Sequence, residues 1–308
     1  MKKPAPVLVV FIIIFSFGLF PGCQRAPVVP VIVTGPARDA GERAFPESWV
    51  SVTELQEFMQ QDNVVVVDFS ENPSQVIPGA IWIARGSFIR EFEGNTFDIE
   101  TKEVHEAVLG AHGICNNTIV IAYCDNNSLW GTRIVWNLMA YGHKDARILE
   151  GGTRAWLDAG GTVNNRPAAP GEPREYIARM NVGNVRADFK DVMDALDNEN
   201  WVILDVRTQG EQNAGIIPGA ITFRYPDYFI DLGTGMNFPK THYEDLFSVI
   251  PRDAKIIVHC SGGTRTSMVY FILIDIIGWP QRVLNYNGSW PNWVWAGGPI
   301  EQRTSTED

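Results

Sequence analysis

Basic residues are too few in this chain to make a polyanion-binding surface. Lys and Arg total 25 against 36 Asp and Glu, for a formal net charge of −11. That balance argues against a nucleic-acid partner, because no basic surplus exists to neutralise phosphates. Histidine is also scarce, with five in 308 residues. His105, His112, His143 and His242 show no metal-ligand spacing, so neither a metal nor another cofactor is expected. Cysteine occurs four times, at 23, 115, 124 and 260. Cys115 and Cys124 bracket a short apolar stretch, and at about 3.3 Å per residue a straight strand holds them beyond bridging distance. The apolar run from Val7 to Phe20, at about 14 residues, falls short of the roughly 20 that a spanning helix needs.

What remains is a chain with 45% hydrophobic and 20% charged residues, which is a globular composition. Its length allows two domains of ordinary size. The N-terminus reads Met1-Lys2-Lys3, then the apolar run, then Pro21-Gly22-Cys23. Two lysines, a short apolar core and a small residue before a break make a secretory leader over 1–22. Leu19 to Cys23 resembles a bacterial lipoprotein cleavage box, which implies lipid on Cys23, membrane attachment through that lipid and a place in the cell envelope or periplasm. An ordinary cleaved leader and an uncleaved anchor stay open as alternatives. Residues 23–45, rich in Pro, Ala, Val and Gly, read as a tether. With Cys23 set aside, an odd number of cysteines remains, and an exported protein then carries a free thiol.

The body repeats itself. Asp68, the segment Ile77-Pro78-Gly79-Ala80, Cys124, and the segment Gly151-Gly152 with Trp156 recur as Asp205, Ile217-Pro218-Gly219-Ala220, Cys260, and Gly288-Ser289 with Trp293, at a near-constant offset. A repeat of domain size points to duplication. Domains are expected over 46–163 and 181–302, with a proline-rich linker over 164–180. Val64-Val65-Val66-Val67 and Ile256-Ile257-Val258 are continuous β-branched runs, as in strands buried on both faces. Alternation of such strands with helix-like stretches predicts an α/β fold with parallel sheets flanked by helices. Sites in such sheets lie beyond the carboxyl ends of strands, where Asp68, Asp205, Cys124 and Cys260 fall.

One stretch carries chemistry. After the strand ending at His259 comes Cys260-Ser261-Gly262-Gly263-Thr264-Arg265, then a helix. A short loop that turns its N–H groups inward, at a helix start, favours thiolate over thiol, and thiolate is the nucleophile. Gly262 and Gly263 let the backbone approach an anion. Arg265 offers a planar fork of donors for a sulfonate or carboxylate. His259 adjoins the nucleophile, but neighbouring strand residues face opposite ways, so a cysteine–histidine catalytic pair is not expected. Trp290, Trp293 and Trp295 are expected in core and domain-interface packing.

These motifs resemble the rhodanese family, in its tandem-domain thiosulfate and mercaptopyruvate sulfurtransferases. The resemblance covers the chain from about Trp49 to Glu301. It rests on Asp205-Val206-Arg207 with Glu211 and Ile217-Pro218-Gly219-Ala220, on the Cys260–Arg265 loop, and on Tyr286-Asn287-Gly288-Ser289-Trp290. It implies two rhodanese-like domains, the second catalytic. It also implies sulfur transfer through a Cys260 persulfide, with thiosulfate as donor and cyanide or a thiol as acceptor. Ser261, Gly262, Gly263, Thr264 and Arg265 would hold the substrate. Arg207 has two readings there, as a contact to the donor's anionic end or as a stabiliser of the loop; Asp205 and Glu211 are expected to be structural. Four residues between Cys260 and Arg265 make a ring smaller than the phosphatase relatives use. The mercaptopyruvate loop differs from this one, which favours thiosulfate. Val76 and Ile216 replace a histidine the family usually carries. Cys124 is expected to mark a silent site, since eight residues separate it from Arg133 and Trp130 crowds it. A second reading is a sulfur carrier that binds without turnover.

Overall fold

A computed structural model describes residues 48–302 apart from 126 and 280. The leader, Cys23 and the tether lie outside the described residues. Among the described residues no helix is long and apolar enough to cross a membrane.

The first half contains β1 (Trp49–Val50), α1 (Val52–Phe58), β2 (Val64–Asp68), β3 (Ile81–Trp82), β4 (Ile89–Phe92), β5 (Asn95–Ile99), α2 (Lys102–Ala111), β6 (Ile119–Tyr123), α3 (Leu129–Ala140), β7 (Ala146–Leu149) and α4 (Gly152–Asp158). The second contains α5 (Val182–Val185), β8 (Arg186–Ala187), α6 (Phe189–Leu196), β9 (Trp201–Asp205), α7 (Gln209–Asn213), β10 (Ile221–Thr222), α8 (Lys240–Leu246), β11 (Lys255–His259), α9 (Thr264–Phe271), β12 (Val283–Tyr286) and α10 (Ser289–Trp295). After Phe271 the chain continues through π turns over Ile272–Ile277.

Each half builds one five-stranded sheet. The first runs β1-β7-β6-β2-β3 and the second β8-β12-β11-β9-β10. Every pairing in both is parallel. The orders match strand for strand, so the duplicated sequence is a duplicated α/β fold. The strands obey their composition: Val64, Val66 and Val67 in β2 and Ile256, Ile257 and Val258 in β11 are buried. Each such side chain contributes roughly 1.5–3 kcal/mol on leaving water. The helices that follow β1 and β8 both begin with a capping box, Ser51 with Glu54 and Asp188 with Asp191, which satisfies orphan N–H groups reciprocally.

The two halves are fused. Helix α3 is buried along nearly its whole length, from Gly131 to Leu138. A helix buried all round needs neighbours on every side. One apolar cluster accordingly runs from Val135 and Trp136 to Met268 and Val269 of α9. Residues 164–180 do not hang free between the halves. The amides of Ala168, Arg174 and Arg179 donate to Ala80, Gly110 and Tyr141 carbonyls at 2.8, 2.9 and 2.7 Å, strapping the segment to the first domain.

The sequence pattern did not announce one element, the antiparallel hairpin β4–β5. Its turn holds Glu93 and Gly94 at φ 49° and 77°. It reaches into the second half, where Asn292 Nδ2 donates to Glu93 O at 2.8 Å. A Cβ on Gly94 would stand 2.6 Å from Trp295 Cβ. The second half returns the contact. Arg154 of α4 donates to the Leu232 carbonyl at 3.5 Å and to Gly233 O, and Asn237 N donates to Glu150 Oε1 at 2.9 Å. Each domain thus holds an arm of the other.

Candidate active site

Cys260 follows β11, the central strand of the second sheet, at its carboxyl end. The loop then curls back over the sulfur. Gly262 N and Gly263 N donate to Cys260 Sγ at 3.5 and 3.2 Å, and Thr266 Oγ1 donates at 3.1 Å. Gly263 makes the curl with φ 77°, in the left-handed region that favours glycine. From behind, Cys260 N donates to Ser289 Oγ at 3.1 Å, and that hydroxyl donates to Tyr286 O at 2.9 Å. Ser289 pays for this position with φ 53°, a conformation that side chains rarely adopt.

The thiol is 1% exposed. Burial alone pushes its pKa up, yet the Arg265 guanidinium, the Thr266 hydroxyl and the Gly262 amide outweigh burial and hold it below the ordinary cysteine value. Donors aimed at a buried sulfur are what a thiolate or persulfide anion requires. Arg265 is itself held. Its two terminal nitrogens donate to Glu211 at 2.7 and 2.9 Å. Glu211 also accepts from the Ser261 hydroxyl and caps α7 through Thr208. Burial opposes the charge on Glu211, but the bonds from Arg265, Ser261 and Thr208 hold its carboxyl far below the usual range.

Three comparisons with known proteins bear on this chain. The model of the rhodanese-like domain matches residues 51–159 and again 188–296. The chain belongs to the rhodanese family. Among relatives of this rhodanese, a Haloferax volcanii protein provisionally named a thiosulfate sulfurtransferase is 30% identical, over 82% of this chain and 94% of its own. The Thermus thermophilus protein named sulfur carrier protein TtuD is 28% identical over 81% and 94%. A Corynebacterium glutamicum thiosulfate sulfurtransferase is 27% identical over 82% and 89%. Among solved structures, an anaerobic ergothioneine biosynthesis enzyme from Chlorobium limicola superposes with TM-score 0.75 at 21% identity, over 84% of this chain and 71% of that one. That likeness concerns the fold.

The structure brings Cys260, Ser261, Gly262, Gly263, Thr264 and Arg265 of this rhodanese into one loop, with Thr264 opening α9. Arg207 supplies none of the three bonds to Cys260 Sγ. It is 1% exposed, donates to both Asp205 oxygens at 2.6–3.0 Å and to Gly215 O at 2.6 Å, and stacks 4.1 Å from the Trp290 ring. Its guanidinium is thus engaged by Asp205, Gly215 and the Trp290 ring. His259 is buried, with Nε2 3.6 Å from Asp205 Oδ2, and burial lowers its pKa. Cys124 is chemically the opposite of Cys260. Its thiol donates to Asn127 O at 2.9 Å, and burial pushes its pKa up to about 11. Cys124 and Cys260 are free thiols.

Sequence reasoning passed over four residues of this rhodanese site. Thr266 lies just beyond the loop motif, and Ser289 lay within a quoted motif but without a role. The other two come from the first domain. Phe97, on β5, roofs the loop, since a Cβ on Gly262 would meet its ring at 2.8 Å. Arg133, on α3, donates to Phe97 O at 2.5 Å and to Asn287 Oδ1. A cavity of about 330 Å³, lined by Ser70, Gln75, Asp125, Thr153 and Arg154, lies in the first domain, away from Cys260.

Proposed function

We propose that the chain is a thiosulfate sulfurtransferase acting through Cys260. The observation that carries this reading is the convergence of two amides and one hydroxyl on a buried sulfur at 3.1–3.5 Å. In the first step the thiolate attacks the outer sulfur of thiosulfate. A new S–S bond forms, the old one breaks, and sulfite leaves with the electron pair. In the second step cyanide or a thiolate attacks the terminal sulfur of the persulfide. Cys260 leaves as thiolate, which restores the starting state. No net charge is created at either step, so the cradle serves thiolate and persulfide alike. The test is thiocyanate production from thiosulfate and cyanide, with intact mass after donor alone. Turnover together with one added sulfur atom on Cys260 supports the enzyme; a protein that takes up no sulfur refutes it.

The name of the Thermus relative favours a second reading, a sulfur carrier. One equivalent of persulfide without turnover would select it. The leader reading places either activity in the cell envelope, with lipid on Cys23. Labelling with a palmitate analogue checks this; a protein that stays unlabelled and is insensitive to lipoprotein signal peptidase inhibition removes it.

A further inference from the structure

Arg133 is fully buried, yet its partners carry no charge. Nη1 donates to Asn287 Oδ1, Nη2 donates to Phe97 O, and Nε has no acceptor. A guanidinium removed from water needs a countercharge. The carboxylate beside it is Asp98, which is 1% exposed and accepts from Asn287 Nδ2. Asp98 is already shared, with Arg90 at 3.5 Å and Arg186 at 3.2 Å. Three guanidinium groups therefore surround one carboxylate. The surplus lies directly behind the cradle. A Cβ on Gly263 would fall 2.5 Å from Arg133 Nη1 and 2.7 Å from Asn287 Oδ1.

We propose that Arg133, reaching in from the first domain, is a positioning residue that favours the anionic forms of Cys260 by standing as a buried cation behind the Gly263 turn. The proposal rests on Cys260 being the sulfur-transferring thiol. The coupling runs both ways: burial draws the pKa of Arg133 down to about 10, while Asp98 and the charge on Cys260 pull it up. Of the other charged groups on this side of the sheet, Arg207 is paired with Asp205. Arg265 is paired with Glu211. Burial pushes the Tyr225 phenol up and the His259 imidazole down, so both are neutral at pH 7. Cys124, which with Cys260 adds to the rise at Tyr225, is also protonated there.

The test is the pH profile of Cys260 alkylation by iodoacetamide in the full chain, read by peptide mass. Arg133→Gln should raise the midpoint by about one unit, which is roughly tenfold slower alkylation below it, and Arg133→Lys should restore most of the loss. Asp98→Asn removes the carboxylate that acts on Arg133 and should move the midpoint the other way. Two packing defects would not give opposite signs. An unmoved or lowered midpoint in Arg133→Gln overturns the proposal, as does an upward shift in Asp98→Asn. Should Arg133→Gln fail to fold, Asp98→Asn decides alone by the same criterion. A wild-type protein that alkylates normally but takes no sulfur from thiosulfate sinks the assigned activity, while the midpoints still decide the role of Arg133.

Discussion

Glu211 and Arg265 face each other as a fork against a fork, with bonds of 2.7 and 2.9 Å. The planar match fixes the guanidinium in one orientation, with its charge within reach of Cys260. Arg265 is thus a fixed cation, and Glu211 decides where that cation points.

Glu211→Gln removes the charge that holds Arg265 and weakens the cap of α7. Stability should fall by on the order of 1 kcal/mol at neutral pH, since the pair is partly exposed and screened. The depressed pKa of Glu211 sets the sign. Its contribution is fully present above the ordinary glutamate range and is lost as pH falls below it. The difference in unfolding free energy between wild type and variant should therefore shrink as pH drops from about 5. Denaturant titrations across that range check it; a constant difference refutes it.

Thr266→Val deletes the hydroxyl that donates to Cys260 Sγ at 3.1 Å while keeping the shape. The thiol pKa should rise by about one unit, so sulfur transfer below the titration midpoint should drop roughly tenfold and recover at alkaline pH. A uniform loss at every pH would mean that the hydroxyl acts on packing alone.

Cys124 and Cys260 are both buried, Cys260 the more so, so preferential reaction at Cys260 would follow charge rather than access. Substoichiometric iodoacetamide near pH 7 should label Cys260 and leave Cys124, whose pKa stands at about 11. Cys260→Ser should abolish transfer with the fold intact, and Cys124→Ser should retain it. Peptide mapping and thiocyanate assays read both; label on Cys124 first contradicts the assignment.

Gly263 and Gly297 share φ 77° but differ in surroundings. A Cβ meets Arg133 and Asn287 at the first and nothing within 4 Å at the second. Gly297→Ala should cost only the left-handed strain, about 1–2 kcal/mol. Gly263→Ala should cost more and reduce sulfur transfer over tenfold. Equal melting temperatures for the two variants would contradict the crowding at the loop.

The duplication, the parallel sheets and the Cys260 loop were legible because they are local or periodic. Val64 to Val67 announces a buried strand without help from the rest of the chain, and Cys260 to Arg265 spans six consecutive positions. The hairpin was not legible. Strand β4 has no buried residue, so no alternation marks it. Glu211 lies 54 positions before Arg265, and Arg133 lies 154 before Asn287. Spacing rules speak only for neighbours, so the arginine that failed to close a ring around Cys124 gave no sign that it served the other half.

The mutual arms also bear on inheritance. A gene fragment encoding only 181–302 would leave the Cys260 loop without its ceiling, because Phe97 and Arg133 are written in the other half. Whatever the thiol at 124 does, a change at Phe97 or Arg133 in the first copy reaches the Cys260 loop of the second, so neither copy is free to drift alone.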